Sequence, residues 1–369
     1  MRARPIVTSG PALHGRAAVI LSVILSMTAL AAGPPGTGDA AGAVAYVPFS
    51  TAGRIAVIDA ARDALTGTID GVGNVHALAI TPDGRLLLAG TVDGHGGDPR
   101  ERPANMPRAG HGGPHRERGT APSGAAAAGH VLIIDTRQRR ALRRVTVPGM
   151  VHHITMLPDG RHAVAAHTAQ GTISVIDVAR GRVTRTVPTG PAPNYVVASG
   201  DGRRVYVSNA GGNTVSEIDT ARWRVLRDLP VGKAPEHLAL SADGSRLYVT
   251  EAGAGTVAEL DTVSGLVLRR FAVGRVPHGV ALTADGRRLI ATARDSDQVV
   301  AVDLATGERR EARIAPAPFH VAAVGAGKAY ITSRRAPVVW VLDTGSLKVL
   351  REIRLPRGVG HQIAVFPGG

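Results

Sequence analysis

Six aspartates in one frame constrain this chain more than any other feature. Asp135, Asp177, Asp219, Asp261 and Asp303 recur every 42 residues, and Asp343 follows 40 later. Each ends an apolar run, as in Ile134-Asp135 and Leu260-Asp261. A period of this length marks a unit that cannot bury its own apolar faces and must stack against copies of itself. One unit reads clearly from His278. Residues 278–282 form an inner strand, Asp285-Gly286 turns, 288–292 return, 298–303 form a third strand, Thr306-Gly307 turns and 309–314 complete the sheet. Asp-Gly supplies the positive φ of a tight hairpin, and it recurs at Asp83-Gly84, Asp159-Gly160, Asp201-Gly202 and Asp243-Gly244. The aspartates that end the third strands read as turn formers.

A seventh copy, Ile58-Asp59, lies 76 residues before Asp135, so the first complete unit carries an insertion. The ends of the repeat region are complementary. It starts with a second-strand sequence, Ala45-Tyr46-Val47, and finishes with a first-strand sequence over residues 361–366. These features predict an all-β fold: a seven-bladed β-propeller of four-stranded antiparallel blades. Its last blade is closed by the N- and C-terminal strands, which removes the open edges of a linear stack. An aromatic content of 3% with 46 glycines and 24 prolines suits short Val/Leu/Ile strands joined by tight turns.

Tyr206-Val207-Ser208-Asn209, Tyr248-Val249-Thr250-Glu251 and Tyr330-Ile331-Thr332-Ser333 resemble the signature of YVTN-type propeller repeats. The resemblance spans essentially the whole repeat region and implies an extracytoplasmic propeller of the YncE-like or surface-layer type. It implies little about chemistry, because this architecture carries binding proteins, lactonases, lyases and metalloenzymes. Glu251 is similar to a glutamate that streptogramin-lyase-type propellers pair with histidine around a divalent metal.

Residues 1–32 read as a signal peptide: Arg2, Arg4 and Arg16 precede an apolar run over 17–32, and Ala29-Leu30-Ala31 fits a cleavage site. The run is shorter than the roughly 20 residues of a comfortable membrane span. Residues 33–42 form a linker, 43–369 the propeller, and 92–128 a Gly-, Pro-, Arg- and His-rich insertion. Secretion as a monomer is the expectation. The chain has no cysteine, so neither disulfides nor a lipidated cysteine hold it. The net charge of +14 is almost entirely arginine, scattered over turns and outer strands as a solvated basic rim. Nucleic-acid binding would also need aromatic stacking platforms, which are scarce.

Each inner strand begins at the mouth of the central channel. In the 42-residue frame that position holds His76, His152, Asn194, Glu236, His278, His320 and His361, five histidines in a chain with 14. Converging neutral imidazoles bind transition metals: copper is favoured on affinity, with zinc, iron or nickel as alternatives. Asn194 adds a polar group at the mouth, and Glu236 a carboxylate able to act as general base. His153 and His237 follow the ring position by one residue, so alternation points them away from the channel. The insertion leaves the same face, so His95, Met106, His111 and His115 are candidate lid groups, joined by His167 in the matching loop of the next blade.

Three functions fit this reading. The first is a secreted metal-binding propeller that holds a small molecule or metal at the mouth, as a carrier or as a metal-dependent enzyme. The second is a non-catalytic surface scaffold for a protein or glycan. The third is a metal-assisted lyase or lactonase acting on a cyclic ester.

Overall fold

The computed structural model describes residues 42–49, 52–92, 129–325 and 327–368. Residues 1–32, read above as a signal peptide, and nearly all of the insertion, with His95, Met106, His111 and His115, lie outside the described residues.

Seven four-stranded antiparallel sheets form the blades of a propeller. Blades 1 to 6 begin with the inner strands Val75–Ile80, His153–Met156, Pro193–Ala198, Pro235–Leu240, Pro277–Leu282 and Pro318–Val324. Blade 7 is the shared one. Val44–Phe49 pairs with Arg54–Asp59 on one side and with the C-terminal strand Ala364–Phe366 on the other.

The hydrophobic core is divided into seven clusters, one at each blade interface. Strand alternation explains this division. In the second strand of blade 5, Leu289 and Ala291 pack toward blade 4, while Ile290 packs toward blade 6. Both faces of a middle strand are therefore apolar, and a single blade is unstable without neighbours. At about 1.5–3 kcal/mol for each large aliphatic side chain buried, the interface formed by Val47, Phe49, Tyr330, Val339 and Ile353 is what makes ring closure favourable.

The turns do what their sequence predicts. Asp243 accepts hydrogen bonds from the Ser241 hydroxyl at 2.6 Å and the Ser245 N–H at 3.0 Å, and Gly244 takes φ +73°. Asp177, Asp219, Asp261, Asp303 and Asp343 cap the turns after the third strands through backbone N–H groups. Several arginines have structural partners. Arg204 and Arg227 flank Glu217, and Arg246 and Arg269 flank Glu259, tying strands together across the sheet.

Candidate metal centre at the channel mouth

In blades 3 to 6 the inner strand enters its sheet through an irregular step. In blade 4, Pro235 pairs with Glu251 and the next regular pair is Leu238 with Val249, so Glu236 and His237 together oppose Thr250. The same two-against-one step follows Pro193, Pro277 and Pro318. A bulge of this kind suspends the alternation of side chains. In these blades two consecutive residues therefore serve the channel.

A hydroxyl from the second strand pins each bulge. Thr250 accepts the His237 N–H at 2.7 Å and donates to the carbonyl of His278 in the next blade at 3.1 Å. Ser208 links Tyr195 N–H to Glu236 O, Thr292 links Gly279 N–H to Phe319 O, and Thr332 links His320 N–H to His361 O. These are the Ser and Thr of the Tyr-Val-Ser/Thr signature. They stitch blades 3 to 7 together at the channel wall.

The first ring of channel residues is His76, His152, Asn194, Glu236, His278, Phe319 and His361. Neighbours around it touch. His76 lies 4.8 Å from His361, His361 5.1 Å from Phe319, and Phe319 stacks on His278 at 3.8 Å and 7°. His278 Nδ1 donates to the Glu236 carboxylate, and His152 Nδ1 lies 3.2 Å from Asn194 O. The second ring is Ala77, His153, Tyr195, His237, Gly279, His320 and Gln362. There His153 stacks on Tyr195 at 3.5 Å, Tyr195 lies 4.1 Å from His237, and His237 lies 4.4 Å from His320. His237 in blade 4 reaches His320 in blade 6 because Gly279, between them, has no side chain.

His237, His278 and His320 each offer one ring nitrogen, and the three nitrogens lie within 4.8 Å of one another. All three side chains are buried. His278 Nε2 and His320 Nε2 are 3.4 Å apart. Two nitrogens about 2.0–2.1 Å from a tetrahedral ion stand roughly 3.3–3.4 Å from each other. Glu236 accepts the hydrogen bond that His278 donates from Nδ1–H, and in this tautomer the Nε2 lone pair faces His320. A carboxylate behind a histidine in this way fixes its tautomer and orientation for metal binding. Burial, and next the neighbouring imidazoles, push His237 and His320 well below the usual histidine range, so both are neutral.

Several sequence expectations change here. His320 occupies the second ring, not the first. Pro277 and Pro318 are 41 residues apart, so the 42-residue frame overshoots by one and Phe319 holds the mouth position. His237 faces the channel because the bulge cancels the alternation that would turn it outward, and His153, which pairs regularly with Ala166, stacks on Tyr195 in the same ring. Of the five histidines expected to share a metal, His278 and His320 join His237. His76 and His361 form a neighbouring pair, and His152 binds the backbone of Asn194. His153 Nε2 is taken by the Gln362 amide at 2.7 Å. His167 is fully buried, with Nδ1 3.3 Å from Met150 O and Nε2 2.8 Å from the Ser174 hydroxyl; these contacts occupy both nitrogens. Glu251 stands apart from the cluster. Its fully buried carboxylate binds Gly232 N–H and the Thr256 hydroxyl at 2.6 Å each, and Arg270 at 2.9 Å. The signals that would have found the two rings are the prolines opening four inner strands and the Ser or Thr facing each bulge.

A closed ring of seven four-stranded blades with a histidine-lined channel mouth defines the protein as a β-propeller of the YVTN-repeat class. Residues 187–288 match the family described as YNCE-like beta-propeller, and the seven-bladed ring supports that likeness. No curated protein matches the sequence significantly. Among solved structures, the chain is similar to the periplasmic gluconolactonase PpgL of Pseudomonas aeruginosa. The identity is 20% over 88% of this chain and 98% of that one, with a TM-score of 0.66. It is also similar to a candidate 6-phosphogluconolactonase of Bacteroides uniformis, at 16% identity over 88% and 99% of the chains and a TM-score of 0.68. Hydrazine synthase of Kuenenia stuttgartiensis aligns at 19% identity over 80% and 90%, with a TM-score of 0.61. These likenesses concern the fold.

Proposed function

We propose that this protein is a secreted propeller that binds one divalent transition metal at its channel mouth through His237, His278 and His320. Glu236 acts as the carboxylate that orients His278. The observation that carries this reading is the convergence of three buried imidazole nitrogens within 4.8 Å. The 3.4 Å spacing of two of them favours a tetrahedral ion, zinc ahead of the tetragonal geometry preferred by copper(II). Three protein ligands leave a fourth position open, as in catalytic rather than structural zinc sites. Metal analysis of untagged protein, purified and then reconstituted, is expected to give one equivalent. His237→Ala and His320→Ala should each abolish it, while His152→Ala should not. Less than a tenth of an equivalent of zinc, copper, iron or nickel in the native protein would end this reading.

A hydrolytic role is the second reading. It draws support from the open position and from the fold shared with PpgL, a periplasmic gluconolactonase. An ion held here would supply Lewis-acid polarisation of an ester carbonyl. Glu236, 14% exposed in its side chain, lies at the mouth where it can exchange a proton with a bound molecule. Opening of a small cyclic ester that stops on chelation and returns with zinc would establish it.

A further inference from the structure

Two arginines stand at the same mouth. Arg294 and Arg334 each follow directly on a second strand, in blades 5 and 6. Their backbone N–H groups bind Val276 O at 3.2 Å and Ala317 O at 2.9 Å, which fixes both beside the starts of the inner strands that carry His278 and His320. The Arg334 guanidinium lies over Phe319, 5.5 Å from the ring centroid. Phe319 in turn stacks on His278 and lies 4.8 Å from His320. Arg334 is thus one aromatic ring away from two of the three proposed metal ligands.

Neither cation is neutralised in the ordinary way. Among the described residues no carboxylate forms an ion pair with Arg334. Arg294 gives only its Nε to Asp295, at 3.1 Å, and its side chain is 11% exposed. Burial, and next the neighbouring Arg294 cation, disfavour the charge of Arg334. Glu236, the carboxylate of the first ring, is engaged by His278. A half-buried guanidinium that meets no carboxylate, as in Arg334, or meets one only through Nε, as in Arg294, leaves its planar fork of N–H groups able to take carboxylate or phosphate oxygens.

We propose that Arg294 and Arg334 form an oxyanion subsite beside the histidine triad, so that the ligand of this mouth is a small molecule bearing a carboxylate or phosphate. Its role as a substrate subsite rests on the metal-site reading above. Its cations belong to the chain and act with or without the ion. The Phe319 face gives the ligand an apolar floor between the anionic group and the ion. A neutral sugar or ester lacks the group that this subsite would hold.

The test uses the full chain, chelator-treated and zinc-loaded, in chloride-free buffer, titrated calorimetrically with inorganic phosphate and separately with malonate. Saturable binding near one equivalent is expected, stronger for whichever oxyanion class the mouth serves. Arg334→Gln and Arg294→Gln should each weaken it by about tenfold or more, as expected for loss of a charge-assisted contact. Arg334→Lys should recover part of the loss, and zinc stoichiometry should be unchanged in all three variants. Absence of saturable binding by either anion, or binding by Arg334→Gln and Arg294→Gln as tight as that of the parent protein, overturns the subsite. Arginine-dependent anion binding by a protein that takes up no zinc keeps the subsite and removes the metal reading. Zinc binding without arginine-dependent anion binding does the reverse.

Discussion

Glu236 and His278 lie in successive blades, and the carboxylate of one accepts the hydrogen bond from Nδ1–H of the other. Their pairing joins two blades and aims the His278 Nε2 lone pair at His320. Replacing the carboxylate by an amide keeps the size but removes the charge that holds this tautomer. Glu236→Gln is therefore expected to weaken zinc affinity by about 10–100-fold, the usual cost of losing such a partner. Competition with a chromophoric chelator measures it. Unchanged affinity would show that His278 is oriented by Phe319 alone.

Acid should destabilise the metal-free protein in two separate windows. Burial, followed by neighbouring imidazoles, holds His153, His237 and His320 far below the usual histidine range. His361 is lowered in the same way, with Arg334 contributing. The unfolded chain titrates these groups near pH 6.5. Below that pH the unfolded state binds protons that the native state refuses, so stability is complete above about 6.5 and falls as pH drops. Each such group contributes a slope of up to about 1.4 kcal/mol per pH unit. Asp243, held down to about 2 by Ser241 and Ser245, has the carboxylate pattern. Its contribution is present above about pH 4 and disappears only as pH falls toward 2. Urea unfolding of chelator-treated protein at pH 7.5, 6.5 and 5.5 should show most of the loss between the last two. A constant midpoint over that range would contradict the neutral state assigned to these histidines.

The fold was more legible than the site, and the reason is physical. Blade number, strand order and the shared last blade follow from turns and apolar runs, and those are local. The terminal strand Ala364–Phe366 sits beside Val44–Phe49, where complementary ends require it. The site depends on non-local register. Alternation turns His237 outward, but the bulge opposite Thr250 turns it in. A frame of 42 residues places His320 at the mouth, but a 41-residue step between Pro277 and Pro318 gives that place to Phe319. Glu236 was marked from its position, yet its bond to His278 depends on how far apart neighbouring blades stand.

Thr250 illustrates how the second strand supports the cluster. Its hydroxyl satisfies two buried backbone groups, one in each of two blades. Thr250→Val keeps the shape and leaves the His237 N–H and the His278 carbonyl without this partner. A cost of about 1–3 kcal/mol in unfolding free energy is expected. Thr250→Ser, which keeps the oxygen, should recover most of it. Equal loss in both variants would mean that packing of the methyl group contributes as much as the hydroxyl.

Gly279 tests the geometry of the triad without touching a ligand. A Cβ at this position would lie 2.6 Å from Phe319 O and 2.9 Å from Val321 N, both backbone atoms of blade 6. Neither can rotate away, so Gly279→Ala must separate the inner strands of blades 5 and 6. Overpacking of this kind costs about 1–3 kcal/mol. The same shift draws His320 away from His278 and His237, whose meeting depends on the space that this glycine leaves open. Zinc affinity should fall although every ligand is intact and the blades remain folded. Gly286→Ala provides the contrast. That residue turns the blade 5 hairpin at φ +67° with nothing within 4 Å of a Cβ, so its substitution strains the turn and leaves the triad alone. The two variants should lose stability together, but only Gly279→Ala should lose the metal. If both bind zinc as the parent does, the approach of blades 5 and 6 does not govern the site.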